Sequence, residues 1–384
     1  MGLIRLLLAV SVVIAHSSPI AGMGLVGGAA AVQIFYMISG FYMALVLNEK
    51  YIGKKSLYGL FISNRILRLF PVYLVVLGTT IATQALFPVA FLKPHDTAAL
   101  WTQYGPDMHV GTALLLGLSN LLLLGQDAVY FLGFGVQSGS VYPSAAFINE
   151  PMPAHLFLFI PQAWSLGVEL LFYLVAPFLV RRRVRIVVGM IVMSVAVRIL
   201  LYTRYGLAND PWSYRFFPSE LAFFLTGSVG YRVYAFLRDT GRSVRLASAA
   251  AFWIMIVAIL GYSFVPVPGK RIAIYAIAAC TIPLVFAWTK DNKLDRYLGE
   301  ICYPVYISHV LFAALLKSYG INWGIILAPI TIAASIGLYE LVDRQVDRIR
   351  QGLYAKRSLA GVQGSLTSSD NSRVISAESG TTGR

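Results

Sequence analysis

In RLLLAVSVVIAH, residues 5–16, an arginine and a histidine flank ten apolar or small residues. In a helix, eleven steps of about 100° return His16 to within roughly 20° of the face of Arg5, about 16 Å further along. A guanidinium suits an anion, and a neutral imidazole suits a general base at ordinary pH. His16 also reads as a buried histidine bonded to a neighbouring carbonyl. Four further stretches carry groups that are costly in lipid and are therefore functional candidates. In VQIFYMISGFYM, residues 32–43, Gln33 and Ser39 sit in an apolar run, where small residues serve close helix packing. In NRILRLFPVY, residues 64–73, Arg65 and Arg68 share one helical face at the expected start of a third helix, with Pro71 in its first turns. The pair either anchors the helix end or grips phosphates with its planar forks. WSLGVELLFYLVAP opens at Trp164 and puts Ser165, Glu169, Phe172 and Tyr173 on one stripe. Glu169 falls near mid-span, so a partner such as His16 or an arginine is expected. YPVYISHVLFAAL places His309 in the middle of another run.

Arg198 and Glu220 are further charges inside apolar runs, and pairing with each other would give them a structural role. Glu340 and Asp343 read as a solvated helix end. The stretch 92–110 mixes His95, Asp96, Trp101, Tyr104, Asp107 and His109. Such a mixture suits sugar rings, and it is equally what an interfacial aromatic belt shows. His95 and His109 are too far apart to read as metal ligands, and no metal site is expected.

These residues need a scaffold, and the composition says which. Of 384 residues, 58% are hydrophobic and 12% charged, about half the charge of a soluble domain. Apolar runs of spanning length recur, so an all-α polytopic bundle is expected. The net charge of +14 is spread over short loops, in clusters at 50–68, 181–185, 232–245, 290–296 and 344–357. The loops near 22–28 and 135–155 have neither Lys nor Arg. This is the positive-inside pattern rather than a nucleic-acid surface. Alternating the clusters gives ten spans, near 3–21, 28–48, 69–91, 155–180, 186–203, 216–236, 246–265, 271–289, 298–317 and 324–343, with both ends cytoplasmic. The stretch 111–133 would spoil the alternation, so it reads as a re-entrant or outer-surface helix. The N-terminal run lacks a clean cleavage site and reads as a retained first helix. Residues 1–345 form one membrane domain, and 346–384 a basic segment followed by a disordered tail rich in Ser, Gly and Thr. Cys280 and Cys302 offer neither a disulfide framework nor a metal spacing.

The ordered set RLLLAVSVVIAH, VQIFYMISGF, NRILRLFPVY, WSLGVELLFYLVAP, SELAFFLTG and GEICYPVYISH resembles the acyltransferase-3 family of integral membrane O-acyltransferases. The resemblance covers roughly residues 1–345 and is to stand-alone members without a C-terminal esterase-like domain. It implies about ten helices and transfer of an acyl group, most often acetyl, from cytoplasmic acyl-CoA to hydroxyls of extracytoplasmic glycans such as exopolysaccharide or lipopolysaccharide. Arg5, His16, Ser39, Gly40, Arg65, Arg68 and Glu169 fall on its motifs. A bacterial inner membrane is implied. Phe-Tyr stands in the second helix where many relatives have Phe-Phe.

Acyl-CoA is a polyanion, and its docking at a basic cytoplasmic mouth assigns Arg5, Arg65 and Arg68 to the donor. His16 is assigned as base, with Glu169 orienting its ring, as an acid does in other catalytic pairs. Ser39, Gly40, Trp164, Ser165, Tyr173, Glu220 and His309 are assigned to acceptor binding or support. Acetyl-CoA enters as a substrate, so no permanently bound cofactor is expected. The partners are the bilayer, acyl-CoA and a glycan or lipid-linked oligosaccharide. Alternatives are acylation of a small cytoplasmic metabolite, a proton-coupled transporter, and a glycan polymerase or flippase. A transporter should show paired helix breaks in two halves, which the sequence lacks.

Overall fold

Helices occupy all ten positions where spans are expected: α1 (Gly2–Ala15), α2 (Gly27–Glu49), α3 (Leu57–Leu86), α7 (Trp164–Leu179), α8 (Val184–Tyr205), α9 (Phe217–Asp239), α10 (Arg245–Gly261), α11 (Lys270–Thr289), α12 (Lys293–Ser318) and α13 (Leu327–Leu338). Between α3 and α7 lie three shorter ones: α4 (Thr97–Tyr104), α5 (Val110–Leu122) and α6 (Gln126–Val129). This computed structural model describes residues 1–17, 19, 22–51, 57–87, 96–240, 244–321, 324–349 and 352. His95 and, apart from Gly352, the tail beyond residue 349 lie outside them. Among the described residues, seven helices (α2, α3, α7, α8, α10, α11 and α12) are long and apolar enough to cross a membrane. The chain is an integral membrane protein.

Burial separates the centre of the bundle from its lipid face. In the most apolar window of α2, 78% of residues are buried, against 11% in α8. α8 instead exposes Val192, Met193, Ile199 and Leu200, an apolar patch that only lipid or another chain would cover. The crossing of α2 and α9 depends on missing side chains. A Cβ at Gly40 would run into the backbone of Phe224, and one at Gly227 into that of Met37. With little hydrophobic driving force between helices in lipid, such backbone approach supplies the packing.

Three expectations need correction. α3 begins twelve residues earlier than the expected 69, so Arg65 and Arg68 lie within the helix and Pro71 near its middle. Two polar groups of this stretch find partners within the bundle and do not require a loop: Asn64 donates to the Tyr51 hydroxyl at 2.6 Å, and Arg68 pairs with Glu300. Asp343 is not at a solvated helix end; it is buried in a wide helical turn, Tyr339–Asp343, that follows α13. The chain is also not purely helical, since Leu132–Gly135 and Ser140–Pro143 form an antiparallel hairpin in which Gly133 faces Tyr142. Its turn places Gly139 at φ +59°, where a side chain would meet the backbone of Asp107.

In the stretch 111–133, read as a re-entrant or outer-surface helix, the main element is α5, an apolar helix of 13 residues, about 20 Å long. Its irregular surroundings are held by buried amides. Asn120 donates to Phe157 O at 2.9 Å and accepts from Phe159 N at 2.9 Å, while Gln126 donates to the Tyr73 hydroxyl at 2.8 Å. In the 92–110 stretch, Asp96 caps α4 by accepting from Ala98 N and Ala99 N, and Trp101 donates to Phe157 O at 3.0 Å. Both side chains therefore hold the fold.

Asp127, on α6, is buried with Oδ1 unpartnered, and it faces Gly167 of α7. Burial pushes its carboxyl up to about 6, above the value near 4 of an unfolded chain. The unfolded chain therefore ionises first, and stability falls as pH rises from about 4 through 6, then levels off. Asp127→Asn is expected to be neutral near pH 4 and stabilising by about 1–3 kcal/mol above pH 7. Thermal unfolding of the detergent-solubilised protein across that range checks this; a constant difference between the two proteins would refute it.

Candidate active site

A cavity of about 560 Å³ enters the bundle from the end rich in Arg and Lys, a volume typical of small-molecule sites. Lys50, Lys290 and Arg296 line its mouth, and Ser165 and Tyr306 its deepest wall. Between them, α1 contributes Arg5, α2 Ser39, α3 Arg65 and Arg68, α7 Glu169 and Tyr173, and α12 Glu300 and Cys302. Residues scattered over the first 303 positions thus share one chamber with the motif around Tyr306.

The three arginines are not equivalent. Arg5 carries its guanidinium 5.9 Å from the centre of the Tyr42 ring. Arg65 lies 5.8 Å from the Phe61 ring and has a buried Nε with no hydrogen-bond partner. A buried donor left without an acceptor is costly, so the site fits an anionic ligand there. Arg68 is instead surrounded by carboxylates: Glu300, Asp347 at 3.5 Å and Asp343 at 4.0 Å. Its charge is already balanced.

Glu169 does not orient His16. Its carboxylate accepts from the Ser39 hydroxyl at 2.5 Å and from the Tyr173 hydroxyl at 2.6 Å. Ser39 and Glu169 meet because α2 and α7 pack together, and Tyr173 lies one turn from Glu169 on the same face. His16 sits just beyond the last turn of α1, as its C-cap. There it meets His309 of α12, with ring centres 5.0 Å apart. His16 Nδ1 is 2.9 Å from Val12 O and 3.3 Å from His309 Nε2, while His309 Nδ1 is 2.6 Å from Tyr306 O. His16 is exposed and His309 is fully buried.

Neither histidine lines the cavity, but Tyr306 touches both places. Its carbonyl holds His309, and its hydroxyl lies 2.6 Å from the Ser165 hydroxyl and donates to Gln162 O at 2.9 Å.

The sequence model of the acyltransferase-3 family, described as an acyltransferase domain, matches residues 1–339. The chain belongs to the acyltransferase-3 family. It is a membrane acyltransferase, and the matched span takes in every cavity-lining residue named above as well as His16 and His309. A similar protein from Aquifex aeolicus (strain VF5), described as uncharacterised, is 24% identical over 213 residues, covering 50% of this chain and 90% of the relative. No solved structure matches.

Set against this acyltransferase chamber, the expected residues divide three ways. Arg5, Ser39, Arg65, Arg68, Glu169, Ser165 and Tyr173 line it. His16 and His309 form a pair beyond its deepest wall. Trp164, Gly40 and Glu220 do neither. Trp164 packs its ring 4.2 Å from the Arg215 guanidinium, Gly40 permits the helix crossing, and Glu220 pairs with Arg198 at 2.6 Å. Tyr306, Cys302 and Tyr303 were missed. Tyr306 lies three residues before His309, on the same face, and that spacing was the available signal.

Proposed function

We propose that this acyltransferase moves an acyl group, acetyl by preference, from acyl-CoA at the basic end of the bundle to a hydroxyl of a glycan at the other end. Exopolysaccharide, lipopolysaccharide and lipid-linked oligosaccharides are the acceptors of this class. The basic end faces the cytoplasm of a bacterial cell, in ten crossings of the inner membrane with both termini inside. The observation that carries the reading is the cavity itself. A basic mouth with an unpartnered Arg65 Nε leads inward to Tyr306, whose carbonyl holds His309, the buried member of the histidine pair.

The chemistry follows from this arrangement. Arg5 and Arg65 hold the donor's phosphates, and the thin arm carrying the thioester extends toward Ser165 and Tyr306. The acceptor hydroxyl gives its proton to His16 as its oxygen attacks the thioester carbon. The C–O bond forms, the C–S bond breaks, and the proton passes from imidazolium to the departing thiolate. Arg68, balanced by its carboxylates, shapes the wall.

The test is to supply radiolabelled acetyl-CoA to the basic side of membrane vesicles containing the protein, with a glycan acceptor present. Label entering the glycan together with release of free CoA supports the reading. Vesicles that consume no acyl-CoA, with acetyl or longer chains, would overturn it. Arg65→Gln is expected to raise the KM for acyl-CoA about tenfold, the equivalent of one charge-assisted hydrogen bond, and to leave kcat within about threefold. An unchanged KM would remove Arg65 from the donor site.

A further inference from the structure

We infer that His309 is the positioning residue for His16: its Nε2 accepts from His16 Nδ1 and so fixes the base with its other nitrogen free. The inference deepens the acyl-transfer reading and rests on it. A backbone carbonyl can only accept. The 2.6 Å contact between His309 Nδ1 and Tyr306 O therefore places the hydrogen of neutral His309 on Nδ1 and leaves Nε2 with a lone pair. By the same rule, the 2.9 Å contact with Val12 O places the hydrogen of His16 on Nδ1. That hydrogen lies between two acceptors, Val12 O and His309 Nε2, the latter 3.3 Å away.

The consequence for His16 is a single tautomer with a lone pair on Nε2. His16 is exposed while His309 is wholly buried, so the free nitrogen belongs to the ring that an incoming hydroxyl can reach. When His16 takes up the hydroxyl proton at Nε2, its Nδ1–H becomes a stronger donor, and His309 Nε2 is in place to accept it. A carboxylate performs this duty in other nucleophile–base arrangements. No described carboxylate hydrogen-bonds either ring, and Glu169 is held by Ser39 and Tyr173 instead. His309 gets its own orientation from α12, one helical turn from Tyr306, whose side chain lines the cavity. The link runs from the cavity wall to the base through one backbone carbonyl and two rings.

Two amide variants separate this role from simple packing. In His309→Gln the carboxamide oxygen reaches the position of Nε2 and can accept from His16. In His309→Asn the shorter amide can still donate to Tyr306 O but does not reach His16. Both put the same polar group in the same buried site, so any folding cost is shared. The measurement is kcat and donor KM for acetyl transfer in membranes, normalised to the amount of protein present. The Gln variant is expected to keep kcat within about tenfold of wild type and the Asn variant to lose about a hundredfold or more, with donor KM within about threefold in both.

Equal activity of the two variants, a loss appearing only in KM, or disappearance of both from the membrane would each overturn the assignment. The last would make His309 a structural residue. If wild-type protein transfers no acyl group, the acyl-transfer reading itself fails and this inference fails with it. If wild type is active and the Asn variant is equally active, only the role of His309 falls.

Discussion

His16→Ala is expected to lower kcat for acyl transfer by about 10²–10⁴-fold, the usual contribution of one general base, with little change in the donor KM. The second half follows from the geometry. Arg5 and Arg65 line the cavity and His16 does not, so removing the imidazole leaves the donor's contacts intact. The first half follows from the neighbours. Glu169, the nearest rival for the base, is engaged by two hydroxyls, Ser39 at 2.5 Å and Tyr173 at 2.6 Å, whereas His16 is exposed and carries a free ring nitrogen. Steady-state transfer of labelled acetyl from acetyl-CoA, compared at equal membrane levels, decides the matter. A kcat within about threefold of wild type would reject His16 as the base. A burst of CoA release without acceptor would reveal an acylated residue and replace direct attack with a two-step route.

The ten expected helices were legible in the sequence because apolar length and the placement of Arg and Lys depend on the bilayer, which acts on every segment separately. Local bending and side-chain partners do not obey that rule. The start of α3 was misplaced because Arg65 and Arg68 look like a loop signal. The balancing carboxylates Glu300, Asp343 and Asp347 come from more than 230 residues away and have no local signature. For the same reason, the sequence suggested a partner for His16 but chose the wrong one. An ionisable group in lipid needs a partner, yet which helix supplies it depends on packing. His309 and Glu169 were both available, and only the positions of α7 and α12 separate them. The pairing of Arg198 with Glu220 was legible because they are 22 residues apart on consecutive helices. The hairpin at 132–143 was not, since its strands have four residues each and lie in a stretch too short to show an alternating pattern.

Arg198→Leu is expected to destabilise the protein by about 3–5 kcal/mol, the usual cost of removing one partner from a buried ion pair. Glu220 is completely buried, and its carboxylate accepts from Arg198 at 2.6 Å and from Gln33 Nε2 at 3.0 and 3.1 Å. Gln33 is in turn held by the Tyr275 hydroxyl. The network ties α2, α8, α9 and α11 together at one level, which is why the loss of one cation matters beyond a single contact. Arg198 also donates to Ser219 O at 3.0 Å, so the variant loses a tie to the α9 backbone as well as the carboxylate's cation. Replacing both charges, as Arg198→Leu with Glu220→Leu, removes the stranded carboxylate and is expected to be more stable than Arg198→Leu alone, because the two sites couple. Thermal unfolding in detergent gives the stabilities, and acetyl transfer by the surviving fraction gives the function. Since neither residue lines the cavity, the specific activity of folded double variant should stay within about threefold of wild type. A folded double variant without activity would move Glu220 from the scaffold into the reaction.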